Sequence, residues 1–288
     1  MQNSSTNNFK DLPVRQKLVL AATIAVAALA LTLFMSIYLP PPVDWHLFFR
    51  PAAQEVWHGR SPYSVEGFPM PLWVLLPIMP LALLPENVGG ALFLLLNLTV
   101  FIYVAYRLRA TAITMIIFLL SPPVLHSLLN GNVDSFVLLG FVLPPPIGLF
   151  FLSIKPQIGT GVALFWLVEA WRKGKLKEVI KIFAPVSVTW LASVLVFGTW
   201  FLNWENKVDL WWNASLWPLS IPIGLALLVA AVRLRRKEFA MAAAPCLSPY
   251  VLLHAWVGAL AALMTLPAEM IAAVVGLWII VISSLLGF

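Results

Sequence analysis

The chain reads as an all-α polytopic membrane protein with about 8–10 transmembrane or half-spanning helices. Three observations lead there. Hydrophobic residues make up 61% of the 288 and charged residues only 10%, whereas soluble domains carry nearer ~25% charge. Apolar runs approaching ~20 residues recur, the length a bilayer core requires. The basic residues sit in short clusters between those runs, as the positive-inside rule expects. The net charge of +6 is therefore a topology signal, not a nucleic-acid footprint, and no nucleic-acid partner is expected. The single cysteine, Cys246, lies in an apolar run, which gives neither a disulfide framework nor a cysteine metal site.

Taken in order, residues 1–17 form a polar, mildly basic N-terminus, expected to be cytoplasmic, and 18–288 a single transmembrane domain. Leu18 to Leu39 is too long for a signal-peptide core and is expected to stay as the first span. Residues 40–87 then form an external loop. Within it, Trp45 to Trp57 has apolar residues at helical spacing and is expected to lie along the membrane interface. Pro71 to Pro85 is short and carries Pro71, Pro77, Pro80 and Pro85. Prolines at that density disfavour a spanning helix, so this piece is read as re-entrant or interfacial.

Val88 to Tyr106 returns, ending at Arg107 and Arg109. Ile113 to Leu129 goes out, broken at Ser121-Pro122-Pro123, and the polar turn Asn130 to Asp134 follows. Phe136 to Leu143 heads inward and stops at Pro144-Pro145-Pro146. Ile147 to Trp171, with Lys155-Pro156-Gln157 inside it, suits a hairpin of short helices. Arg172, Lys173, Lys175, Lys177 and Lys181 are the strongest cytoplasmic mark. Val179 to Phe201 goes out to an external loop, Asn203 to Asn213, with Trp204, Trp211 and Trp212 as an aromatic belt. Leu216 to Val232 comes in, Phe239 to Leu253 goes out and delivers His254, and Trp256 to Leu266 and Met270 to Leu286 close the chain.

With this layout only Arg50, Arg60, Lys155 and Lys207 of the 18 basic residues fall on the outer side, while all four histidines, 46, 58, 126 and 254, do. Candidate chemistry therefore gathers outside. Asp44, just past the first span, is either an ordinary loop acid or a positioned general base. Lys155, inside an apolar run, either snorkels to the interface or supplies a charge to a lipid phosphate. His254 is either interfacial or a contact to a phosphate or sugar hydroxyl. Asn130, Asn132 and Asp134 either hydrogen-bond a sugar or cap the helix of Phe136. Arg50 and Arg60 are interfacial residues or phosphate clamps. The histidines lack the spacing of a metal site, so no metal and no other cofactor is expected.

Asp44 after the first span, Gly59-Arg60-Ser61-Pro62-Tyr63, and the Pro-rich Phe68-Pro69-Met70-Pro71-Leu72 together resemble the first external loop of GT-C glycosyltransferases. The pattern is most similar to the polyprenyl-phosphate-mannose-dependent mannosyltransferases of glycosyltransferase family 87, and more distantly to the GPI mannosyltransferases. Gly131-Asn132-Val133-Asp134 stands where that family has a Gly-Gln-x-Asn-like turn. Lys155-Pro156-Gln157 resembles its Lys-Pro element, and Leu247-Ser248-Pro249 with His254 its late Ser-Pro…His element. The resemblance implies a GT-C-like fold and transfer of a sugar, mannose in that family. The donor would be a polyprenyl-phosphate sugar and the acceptor a lipid or glycan at the outer face of a bacterial plasma membrane. It implies Asp44 as the base, with His46, Arg60, Tyr63, Asn132, Asp134, Lys155, Gln157 and His254 around the substrates. The residues by themselves leave two rivals open: a transporter or lipid flippase, for which no internal repeat is visible, and a non-catalytic membrane scaffold.

Overall fold

A computed structural model describes residues 13–68, 70–202 and 213–286. Met1 to Leu12 of the expected N-terminus, and all but Asn213 of the expected 203–213 loop, lie outside the described residues. Every regular element among the described residues is helical. Helix α1, Val14–Tyr38, buries only Thr32 and Met35. Its apolar surface otherwise faces outward, as a lipid-facing helix requires. It stops before Pro40-Pro41-Pro42, because proline biases the residue ahead of it away from helix. Helix α4, Glu86–Arg107, is a second candidate span and packs along α1.

The segment between them is folded, not loose. A π-helical turn, Trp45–Phe49, leads into α2, Arg50–Trp57. Trp45, Phe49, Ala52 and Ala53 are buried in the protein core, so this stretch is gripped from one side rather than simply resting at an interface. The Pro-rich part contains a 3-10 turn, Leu72–Leu75, and the short α3, Met79–Ala82. Neither is long enough to cross a bilayer, as the prolines predict.

Helices α5, Ala112–Leu119, and α6, Pro122–Asn130, meet at a 53° bend where Pro122 and Pro123 interrupt the ladder. Then come α7, Asp134–Gly140, and α8, Pro145–Leu152. Their backbones touch at Gly140 and Gly148, where an added Cβ would meet the other helix's carbonyl oxygen at 2.8 and 2.6 Å. Small residues at helix crossings allow such close packing. Helix α9, Pro156–Phe197, is 42 residues long but leaves helical geometry at Gly174 and Lys175. It is a hairpin: Thr160, Ala163 and Leu167 share a groove with Trp190, Ser187 and Phe183 of the returning arm. The bundle closes with α10, Ile221–Leu234, α11, Lys237–Cys246, α12, Val257–Ala261, and α13, Pro267–Leu286.

Four of these helices are long and apolar enough to cross a membrane, or five if the bent α5–α6 pair counts as one span. The all-helical membrane expectation holds at this level, and shorter helices such as α7, α8, α10 and α11 accompany the candidate spans. Phe239 to Leu253 is not a span: α11 ends at Cys246, and Ser248-Pro249 leads into extended chain. Trp256 to Leu266 is likewise broken into a 3-10 turn and the five-residue α12. Both runs are apolar because they are buried among other helices: Ala240, Met241, Ala243, Val257 and Leu260 are all enclosed.

Candidate functional site

Two arms bring polar side chains to one place. The first begins at the triproline. Pro42 and Trp45 lie against backbone that only glycine leaves open. A Cβ on Gly131 would sit 2.5 Å from the Pro42 Cβ, and one on Gly89 would sit 2.6 Å from the Trp45 ring. Gly131 is needed twice, since its φ of +67° closes α6 in the left-handed region. Trp45 Nε1 then donates to the Glu86 carbonyl at 3.0 Å. Asp44 is carried by this anchored turn and is set beside the 131–134 turn.

The second arm is the chain after α11. Ser215 Oγ donates to the Ser248 carbonyl at 2.5 Å, and the Ala214 amide to the Val251 carbonyl at 2.7 Å. Asn213 Oδ1 accepts from the Val251 amide at 3.0 Å. These bonds hold 248–251 extended and deliver Tyr250 to the cavity and His254 to the interior. Lys155 comes from between the arms. Pro156 forces it out of helix (φ −134°, ψ 95°) and points the chain into α9.

The side chains form one connected group. Asn132 Nδ2 donates to Asp44 Oδ2 at 2.5 Å. Its Oδ1 accepts from Lys155 Nζ and, at 2.7 Å, from the Val133 amide. Two donors on one side of the amide fix its orientation, so the NH₂ must face Asp44. Lys155 Nζ also donates to Asp134 Oδ1 at 2.6 Å. His254 Nδ1 lies 2.6 Å from Asp134 Oδ2, a short contact but poorly aligned for a straight hydrogen bond. A proton on Nδ1 serves that contact and leaves Nε2 to accept from Asn132 Nδ2 at 3.3 Å. Asp134 is fully buried, and His254 and Lys155 are 2% and 3% exposed. A carboxylate and an ammonium survive there because each neutralises the other at 2.6 Å and Asn132 accepts a further hydrogen bond from Lys155. Asp44, half-buried, faces open space.

That space is a cavity with about 580 Å³ of empty volume. Asp44, Asn132, Lys155, Gln157 and Tyr250 line its polar side. Phe48, Phe49, Phe68, Met70 and Leu252 line the other. Asp134 and His254 stand behind Asn132 and Lys155, out of the cavity, and support them.

Of the residues singled out in the sequence, Asp44, Asn132, Asp134, Lys155, Gln157 and His254 therefore converge. His46, Arg60 and Tyr63 do not. His46 Nδ1 contacts Glu86 Oε1 at the surface. Arg60 forks onto Glu55, with Nη2 to Oε1 at 2.7 Å, and that hydrogen bond holds the Glu55 carboxyl below its usual range. Tyr63 stacks on Trp200 at 4.7 Å and pins residues 62–64 to the end of α9, where burial pushes its phenol up to about 12. Asp134 does not cap α7; its side chain is committed to Lys155 and His254. One participant was not singled out: His126 of α6, whose ring stacks on His254 with centroids 5.4 Å apart. Its only sequence signal was its place among the histidines at the same level. The described residues contain no group of three or more His, Cys, Asp or Glu side chains placed to hold a metal.

No family model, curated protein or solved structure matches the chain.

Proposed function

We propose that the chain is a membrane glycosyltransferase that moves a sugar from a polyprenyl-phosphate donor to a lipid or glycan hydroxyl, with Asp44 as general base. One observation carries the reading: a carboxylate held on the wall of a half-apolar cavity by an amide whose own orientation is fixed by a buried ion pair. A general base needs that combination of fixed position and access to substrate. The aromatic side of the cavity suits a substrate that arrives from lipid. The identity of the donor, with mannose as its sugar, and the placement of the site at the outer membrane face rest on the resemblance of Asp44, the 131–134 turn, Lys155-Pro156 and His254 to family 87 enzymes.

The chemistry follows from these groups. Asp44 takes the proton of the acceptor hydroxyl as its oxygen attacks the anomeric carbon. The bond from that carbon to the phosphate oxygen breaks, the lipid phosphate leaves with the electron pair, and configuration inverts. A phosphate leaving group needs no strong general acid. Lys155 has three N–H donors, of which Asn132 and Asp134 take two. The third lies 3.4 Å from His254 Nδ1, a long contact that a phosphate oxygen at the cavity wall would replace. Because Asp134 already balances its charge, Lys155 acts here as a placed donor more than as a free cation.

The test is label transfer from radiolabelled polyprenyl-phosphate mannose by the purified protein in vesicles. Asp44→Asn should lower turnover by roughly 10²–10⁴-fold at unchanged thermal stability. Turnover within a fewfold of wild type in that variant sinks the assignment. Movement of unmodified donor across the bilayer, with no covalent transfer, favours a transporter instead.

A further inference from the structure

A second cavity, with about 870 Å³ of empty volume, opens at the break in α9. Its floor is apolar, from Pro145, Trp166, Ala170 and Ile182, and Arg172, Lys173 and Arg235 stand around it together with Glu169 and Glu178. From Pro156 to Lys173 the first arm of α9 rises roughly 27 Å at about 1.5 Å per residue, so this cavity lies about one hydrocarbon thickness from Asp44. Five basic residues, 172, 173, 175, 177 and 181, flank the break, and four more, 233, 235, 236 and 237, make up the turn from α10 to α11. Only Glu169, Glu178 and Glu238 oppose them there. Those acids are already engaged: Glu169 with Arg172 at 2.8 Å, Glu178 with Lys173 at 3.2 Å, and Glu238 with Arg236 at 3.5 Å. Arg235, on the cavity wall, has no ion-pair or hydrogen-bond partner among the described residues.

Backbone conformation supplies an independent observation. Arg235 closes α10 at φ 54°, ψ 41°, the left-handed position that glycine usually takes. Lys175 at the α9 break also has positive φ, at 53°. Topology alone asks only for charge somewhere on this side. Charge at two positions where glycine would fit the backbone better points to side chains that are used. Leu234, next to Arg235 in the chain, is 60% exposed.

We propose that this cavity binds the headgroup of an anionic phospholipid, the phosphate meeting Arg235, with Arg172 and Lys173 beside it, and the acyl chains leaving over the apolar floor of Pro145, Trp166 and Ile182. Basic pockets between membrane helices recognise such headgroups. The apolar floor beneath the cations favours a lipid over a free phosphate of the same chemistry.

Thermal unfolding of the full-length protein in detergent decides the matter, with phosphatidylglycerol, phosphatidylcholine or soluble sn-glycerol 3-phosphate added. Phosphatidylglycerol should raise Tm saturably, and the other two should not. Arg235→Gly removes the guanidinium while easing the backbone. It should leave the lipid-free Tm equal or higher and weaken phosphatidylglycerol binding about fivefold. Lys173→Gln, at an exposed position, should weaken it similarly. The double variant Lys177→Gln/Arg233→Gln, which alters basic residues that do not line the cavity, should change binding less than either. Equal stabilisation by phosphatidylcholine overturns the site. So does wild-type lipid binding in both Arg235→Gly and Lys173→Gln, or an equal loss in the off-cavity variant. Stabilisation by sn-glycerol 3-phosphate matching that by phosphatidylglycerol assigns the cavity to a soluble phosphate and overturns the lipid.

Discussion

The two ends of the helix bundle solve the same backbone problem with opposite residues. Around the Asp44 cavity, the chain turns through positive φ at Gly59, Gly67 and Gly131. At the other end it does so at Arg109, Lys175 and Arg235. These belong to one face: Arg107 and Lys237 both reach the 141–142 carbonyls between α7 and α8. Charge is treated differently as well. Lys155 and Asp134 are enclosed and matched one to one, whereas Lys173 and Lys181 have side chains 75% and 70% exposed and outnumber their acids. The cavity end relaxes its backbone in order to fix a few side chains accurately. The basic end accepts backbone strain in order to carry more cations. Buried charge needs exact partners, while exposed charge acts by number and is indifferent to small displacements.

The largest predicted effect tests that contrast directly. Asp134→Asn removes half of a buried ion pair and leaves Lys155 uncompensated. It should cost about 3–5 kcal/mol, read as a fall in unfolding free energy in detergent. The double variant Asp134→Asn/Lys155→Met should recover part of the loss, because the two sites are coupled. At the basic end, Lys173→Gln should leave stability unchanged within error. If Asp134→Asn is no more harmful than Lys173→Gln, the cavity end is not held by its ion pair and the distinction fails.

The same contrast explains how much could be read from the sequence. In so apolar a chain, a polar residue inside a hydrophobic run is costly and stands out. Lys155 was conspicuous for that reason, Asn132 and Asp134 as a polar turn between apolar runs and His254 as a histidine at the end of one, and the four meet. Arg60 and Tyr63 were picked through the Gly-Arg-Ser-Pro-Tyr resemblance and His46 for its place beside Asp44, but their side chains are engaged elsewhere, by Glu55, Trp200 and Glu86. His126 was easy to miss because its tie to the site is a ring stacked on a residue 128 positions away (254 − 126). Phe239 to Leu253 was read as a span because apolar composition does not distinguish a helix facing lipid from one enclosed by protein. α11 and α12 are the enclosed kind. Proline marked the breaks correctly at Pro122 and Pro156, since the missing amide and the ring clash act locally, whatever surrounds them.

The next effect falls on the glycine that lets the two arms meet. Gly131→Ala adds a Cβ at a left-handed position and 2.5 Å from the Pro42 Cβ. The conformational part costs about 1 kcal/mol, and the clash, with proline ring and backbone on one side, adds about 1–3 kcal/mol. The displaced segment is the one that carries Asp44, so transfer should fall further than the stability loss explains. Measuring unfolding and label transfer on the same preparation separates the two. A variant that loses stability yet transfers at the wild-type rate shows that Asp44 does not depend on the Pro42–Gly131 contact.

The smallest effect has the opposite sign. Lys175 sits at φ 53°, ψ −143°, a conformation that side-chain-bearing residues avoid at a cost of about 1–3 kcal/mol. Lys175→Gly releases that strain. It gives back about 0.5–1 kcal/mol through the greater freedom of an unfolded glycine. It also loses about 0.5 kcal/mol from the ammonium, which lies 5.7 Å from the centroid of the Trp171 ring. Mid-range values leave Lys175→Gly a net gain of roughly 0.75 kcal/mol, within limits of about −0.5 to +2 kcal/mol. Lys175→Ala separates the contributions, since it loses the same cation–ring contact but keeps the strain, and it should be less stable than wild type. If the glycine and alanine variants unfold at the same temperature, the break in α9 carries no strain at Lys175, and the basic end has given up nothing in backbone energy to keep its charge.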